Sequence, residues 1–97
     1  MAKAYWIVTY RSEGDPDALA AYAKLAGPAV LAAGGRNFIR GMPARIFEAG
    51  MNLRTIVVEF DSLATAVSAY ESPAYQAART LLSNATVRDI RIIEGAE

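Results

Sequence analysis

Glu59 lies in the run Thr55-Ile56-Val57-Val58-Glu59-Phe60, and a carboxylate between such neighbours is the first residue to examine for chemistry. Desolvation by the flanking valines would disfavour its charged form and raise its pKa toward the range useful for proton transfer. The same residue serves equally well as the partner of an arginine. A second group is Tyr70, Tyr75 and Arg79, with Tyr75 and Arg79 one helical turn apart. Together they can line a cleft between helix and sheet, with aromatic walls and one guanidinium fork for an anion. The plainer alternative makes the tyrosines core residues with their hydroxyls at the rim. Asp15-Pro16-Asp17 looks like a pair of metal ligands, yet both carboxylates sit where a helix begins and where they cap its backbone instead, so no metal is expected. The chain has no histidine and no cysteine, which removes serine triads, thiolate chemistry and disulfides. No glycine-rich phosphate loop occurs, and no cofactor is expected.

The elements that must position these residues follow from periodicity. Lys3 to Arg11 is rich in aromatic and β-branched residues and reads as a strand buried on both faces. Asp15 and Pro16 open a helix whose inner face is Leu19, Tyr22, Ala23, Ala26 and Val30. With so much alanine, that helix should lie close to whatever it covers. Gly27-Pro28 predicts a kink or break, because proline removes the bond to the Lys24 carbonyl. Gly34-Gly35 ends the helix. Arg36 to Met42 and Ala44 to Ala49 predict two short strands interrupted at Pro43, at a sheet edge or bulge. Leu53 to Asp61 is the clearest strand, with Ile56, Val58 and Phe60 on the face that helices should cover. Ser62 caps a helix carrying Leu63, Ala66, Val67 and Tyr70. Ser72 and Pro73 start another that offers Ala74, Ala77, Ala78 and Leu81 to the core, ending near Asn84. Val87 to Glu94 closes the chain as a strand with Ile90 and Ile92 on one side. The order is that of an α+β, ferredoxin-like βαββαβ domain over residues 1–97, an antiparallel sheet with helices on one face.

Helices on one side leave the other side of the sheet to be explained. That side carries Thr55, Val57, Asp89, Arg91 and Ile93, too apolar a set for a solvated face. Two copies packing sheet against sheet would cover it, with Glu59, Asp89, Arg91 and Arg40 forming ion pairs within or across the interface. A half-wet face with surface ion pairs is the alternative. The 97 residues include ten of each charge, so the balance suggests neither nucleic acid nor anionic membrane as a partner. RNA binding shares this topology, and Arg36, Arg40, Arg45 and Arg54 alternate with Phe38 and Phe47. However, the open-face positions of the central strand are Thr55 and Val57, where an RNA-recognition sheet stacks bases on aromatics. No run approaches the length of a membrane span or a signal-peptide core, and a cytoplasmic location is expected.

An ordered set of residues resembles the DUF1330 family, a domain of unknown function. It comprises Tyr5-Trp6-Ile7, Gly34-Gly35-Arg36, Glu59-Phe60, Ser62, Ala66, Tyr70, Ser72-Pro73, Tyr75-Gln76, Arg79 and Ile93-Glu94-Gly95. The resemblance implies a ferredoxin-like fold, homodimers of the α/β-barrel kind, and no established reaction. The chain departs from the family pattern in its arginine-rich 36–54 region and in Ala69 before Tyr70. The functional expectation is a homodimer holding a small organic molecule between sheet and helices. The alternatives are a cofactor-independent enzyme, like the small dimeric α/β-barrel monooxygenases and isomerases, in which Glu59 or a tyrosine moves a proton, and a structural or interaction module without chemistry.

Overall fold

The computed structural model describes residues 2–82 and 86–96. Strand β1 (Ala4–Tyr10) leads to helix α1 (Pro16–Ala32), strands β2 (Arg36–Gly41) and β3 (Thr55–Phe60), helices α2 (Leu63–Glu71) and α3 (Pro73–Arg79), and strand β4 (Arg88–Glu94). The strands form one antiparallel sheet in the order β2-β3-β1-β4. This is the βαββαβ ferredoxin-like arrangement, with α2 and α3 together filling the second helical position.

Alternation decides which face is covered. Along β1, Ala4, Trp6, Val8 and Tyr10 are buried, while Tyr5, Ile7 and Thr9 are half-buried on the other side. Trp6 stands opposite Val58 on β3 and Ile92 on β4, so the three apolar faces coincide. The aromatic centre is built around Trp6, whose ring lies 5.2 Å from Phe60 and 5.0 Å from Tyr75. Its indole N–H donates to the Ala66 carbonyl at 2.8 Å, satisfying the one polar atom the ring buries.

Short polar side chains fix the helix ends. Asp15 accepts from the Asp17 N–H at 3.0 Å, and Ser62 from the Thr65 N–H at 3.1 Å. Ser72 accepts from the Tyr75 N–H at 3.2 Å and donates to the Ala69 carbonyl at 2.8 Å, joining the end of α2 to the start of α3. Helix α1 is continuous through Gly27-Pro28, so of the expected kink or break the break does not occur. Lys24, whose carbonyl loses its donor, is exposed, so water can replace the missing bond. The core face of α3 also differs from expectation. Tyr75 and Ala78 are buried, whereas Ala74, Ala77 and Leu81 are exposed. In α2, Ala66 and Ala69 are buried and Leu63 and Val67 are exposed. The expected helix end at Asn84 lies outside the described residues.

Residues 44–49 are not a strand. Pairing of β2 with β3 stops at Gly41 opposite Thr55, so residues 42–54 leave the sheet as a loop with no neighbouring strand to join. A turn closed by the Gly50 N–H on the Phe47 carbonyl, at 2.9 Å, takes its place. Strand β2 carries a bulge between Asn37 and Ile39, which decides where its arginines point.

Candidate functional site

The register of the sheet sets three cationic side chains at one end of its helix-covered face. Thr9 stands opposite Thr55 on one side and Asp89 on the other. One step along β1, Tyr10 pairs with Arg88, and its N–H donates to the Arg54 carbonyl at 3.0 Å. Tyr10 is on the buried side, so Arg54, just before β3, Tyr10 on β1 and Arg88 on β4 form a row, the outer two roughly 10 Å apart. Arg40 joins them from β2, opposite Ile56.

This position of Arg40 corrects an expectation. Strict alternation from Arg36, which pairs with Glu59, would put Arg40 on the open face with Thr55 and Val57. The bulge adds one residue to β2, so Ile39 meets Val57 and Arg40 turns to the helix side.

Helix α1 packs against α3 rather than down onto the sheet, so its alanines bring it close to a helix and leave a cavity of about 210 Å³ beneath it. Val30, Leu31, Ile56 and Val58 make its apolar walls. At its foot the Tyr22 and Tyr75 hydroxyls are 2.6 Å apart, and Arg88 Nη1 donates to both, at 3.1 and 3.3 Å. The Arg88 guanidinium also lies 5.2 Å from the centre of the Tyr22 ring and 5.9 Å from that of Tyr10. Burial, and then the adjacent Tyr75, push the Tyr22 phenol well above its ordinary value, against an opposing pull from Arg88. Burial works against the Arg88 charge, but the two facing hydroxyls outweigh it and its pKa stands above the usual guanidinium value. At neutral pH this corner holds the protonated Tyr22 phenol beside the Arg88 cation. Among the described residues no carboxylate lines the cavity.

Of the residues singled out from sequence for a ligand, Tyr75 reaches the cavity. Tyr70 packs in the core, its ring 5.9 Å from Trp6 and 5.3 Å from Tyr75, and is not part of the wall. Arg79 is exposed and donates to the Gln76 side chain at 3.0 Å, away from the cavity. Tyr10, Arg54 and Arg88 were not among the candidates, and Tyr22 was read only as core. A signal existed for two of them. Arg54 precedes Ile56, Val58 and Phe60 on one strand face, and Arg88 precedes Ile90 and Ile92 on another, each a lone cation leading an apolar stripe.

Glu59 lies on the opposite, open face. It accepts from the Tyr5 hydroxyl at 3.0 Å and from Arg36 Nε at 3.1 Å, while Arg36 Nη2 reaches Asp61 at 3.0 Å and Lys3 lies 3.6 Å from Asp61. Desolvation raises its pKa as expected, but the bonds from Tyr5 and Arg36 and the charges of Lys3 and Arg36 outweigh it, so Glu59 is held below the usual carboxylate range. It is an ionised partner of arginine with no spare affinity for a proton. Thr55, Val57, Asp89 and Arg91 share this face, where Asp89 pairs with Arg91 at 3.1 Å and Arg11 at 3.7 Å. Beside them is a broad hollow of about 460 Å³ between the sheet and the 42–54 loop, reached by Ile7, Thr9, Ile46 and Phe47. No described helix is long and apolar enough to cross a membrane, and no three described acidic side chains are grouped to hold a metal ion.

The fold is shared with known structures at low sequence identity. A protein of unknown function from Rhodopseudomonas palustris superposes with a TM-score of 0.69 at 17% identity, over 99% of this chain and 84% of that one. SnoaB, a cofactor-independent oxygenase from Streptomyces nogalater, gives 0.67 at 8% identity, over 100% and 96%. A dimeric protein of unknown function and ferredoxin-like fold from Bacteroides fragilis gives 0.58 at 16%, over 98% of each chain. No curated protein matches the sequence significantly. Residues 3–96 match the family model of the domain of unknown function DUF1330, and the chain belongs to that family.

Proposed function

We propose that the protein is a homodimer that binds a small organic molecule in the cavity between α1 and the sheet. The observation that carries the reading is the division of that cavity into apolar walls and a corner of convergent donors, the usual composition of a small-molecule site. Its volume, about 210 Å³, lies under the roughly 300 Å³ at which sites for drug-sized ligands begin, which favours a molecule of one ring or a short chain. Gly27 offers a direct test. It lines the cavity, and a Cβ added there would meet nothing within 4 Å. Gly27→Leu should therefore fill the cavity without displacing the core. Ligands found by native mass spectrometry or thermal shift on the wild type should be lost in the variant, and their undiminished binding would place the site elsewhere.

A proton-transfer reading with Glu59 as base has little support, since that carboxylate is ionised, paired, and on the other face of the sheet. The charged side chains that line the cavity are arginines. The dimer reading is supported by the open face, where Phe38, Ile39, Phe47 and Ile93 are between 49% and 74% exposed. An isolated monomer rarely shows so much apolar surface together.

A further inference from the structure

We propose that the ligand of the α1 cavity is an organic monoanion, a carboxylate on a small apolar body, with its charge seated at the row of Arg54, Tyr10 and Arg88. This rests on the cavity reading above and names the chemical class that the cavity would take. Among the described residues, the cations on the strands and beside their ends are segregated. Arg36, Arg91, Arg11 and Lys3 are paired with Glu59, Asp61 and Asp89 on or beside the open face. Arg40, Arg54 and Arg88 all line the cavity, and among the described residues none of them has an ion pair. The protein is neutral overall, so this imbalance is local. Arg40 and Arg54 are exposed, but Arg88 is half-buried, and a guanidinium so placed without a counterion is costly; an anion that enters the cavity supplies one.

The donors match a carboxylate in detail. Arg88 uses Nη1 on the two phenols, leaving Nε and Nη2, the edge that grips a carboxylate with two parallel bonds, without a described partner. The two phenols share one hydrogen bond, so only one of their two protons is spent on it. Tyr75 is 1% exposed and Tyr22 is more open, so the second proton can serve a ligand oxygen when Tyr75 is the donor of the pair and Tyr22 the acceptor. At the other end Val30, Leu31 and Val58 are apolar and Asn37, opposite Val58, adds a neutral amide and no second cation, which selects a body without a further acid.

The test titrates the full-length protein with benzoate and hexanoate against benzamide and hexanamide, matched in shape and differing in charge, by calorimetry. The acids should bind at least about tenfold tighter than the amides. Arg88→Met should erase that preference, and Tyr22→Phe, which keeps the ring packing, should reduce it if Arg88→Met does not fold. Amides binding as tightly as acids would overturn the anion assignment and leave the small-molecule cavity standing. Binding of neither class, with no other small molecule lost on Gly27→Leu, would overturn both. Acid preference that survives in a folded Arg88→Met protein and in Tyr22→Phe would overturn the assigned seat.

Discussion

Tyr22 is the residue in which burial and chemistry are most closely joined. Its phenol is protonated more firmly in the folded chain than in the unfolded one, where the ordinary value of 10.0 applies. The stability it contributes is therefore complete below pH 10.0 and declines as pH rises beyond that, because the unfolded chain loses its proton first. An absorbance titration should show a tyrosine phase displaced well above the ordinary value, and Tyr22→Phe should diminish that late phase. Glu59 behaves in the opposite sense. Its folded pKa lies below 4.5, so its ion pair stabilises the fold above that pH and is lost as pH falls through the depressed value. Glu59→Gln should melt below the wild type at neutral pH, and the gap should close in acid. A Glu59→Gln protein that still binds the cavity ligand normally would agree with its place on the far face.

The strands were largely legible in the sequence and the loops and short helices were not, for physical reasons. In β3, Ile56, Val58 and Phe60 mark their face without ambiguity, and the same parity in β4 puts Ile90 and Ile92 with them. A bulge leaves no such mark, so Arg40 was read on the wrong side of β2. Helix α3 has seven residues and is nearly half alanine, which packs equally well on either side, so Tyr75 and not hydrophobic spacing decides its rotation. Residues 44–49 have the composition of a strand but no partner to pair with. Of the site, Tyr75 was found, while Arg54 and Arg88 were hidden because each heads an apolar stripe that looks like plain core. Two glycines of α1 and its exit test the packing of this layer. A Cβ at Gly35 would approach Val30 Cγ1 to 2.6 Å and Val58 Cγ1 to 2.9 Å. Gly35→Ala should cost about 1–3 kcal/mol in denaturant unfolding, as overpacking of a core does. At Gly27 the space is open, and Gly27→Ala should be neutral or stabilise by up to about 1 kcal/mol, the helix preference of alanine less what Pro28 takes back.

The whole molecule divides its two sheet faces between two tasks. One face holds the helices and the cavity; the other gathers the described ion pairs beside exposed apolar side chains. Burying that second face against another copy would give a particle of twice the 10.4 kDa chain mass in light scattering. Ile93→Asp, at an open-face position opposite Tyr5, should shift the mass toward the monomer without moving the cavity. A monomeric wild type would leave that face without the proposed partner. The most direct test of the cavity is an amide chemical-shift map recorded while benzoate is added. The structure leads us to expect shifts grouped around Tyr10, Tyr22, Arg54, Tyr75 and Arg88, the donor end beneath α1. Shifts gathered instead around Phe47, Asp89 and Arg91, in the hollow on the open face, would contradict it.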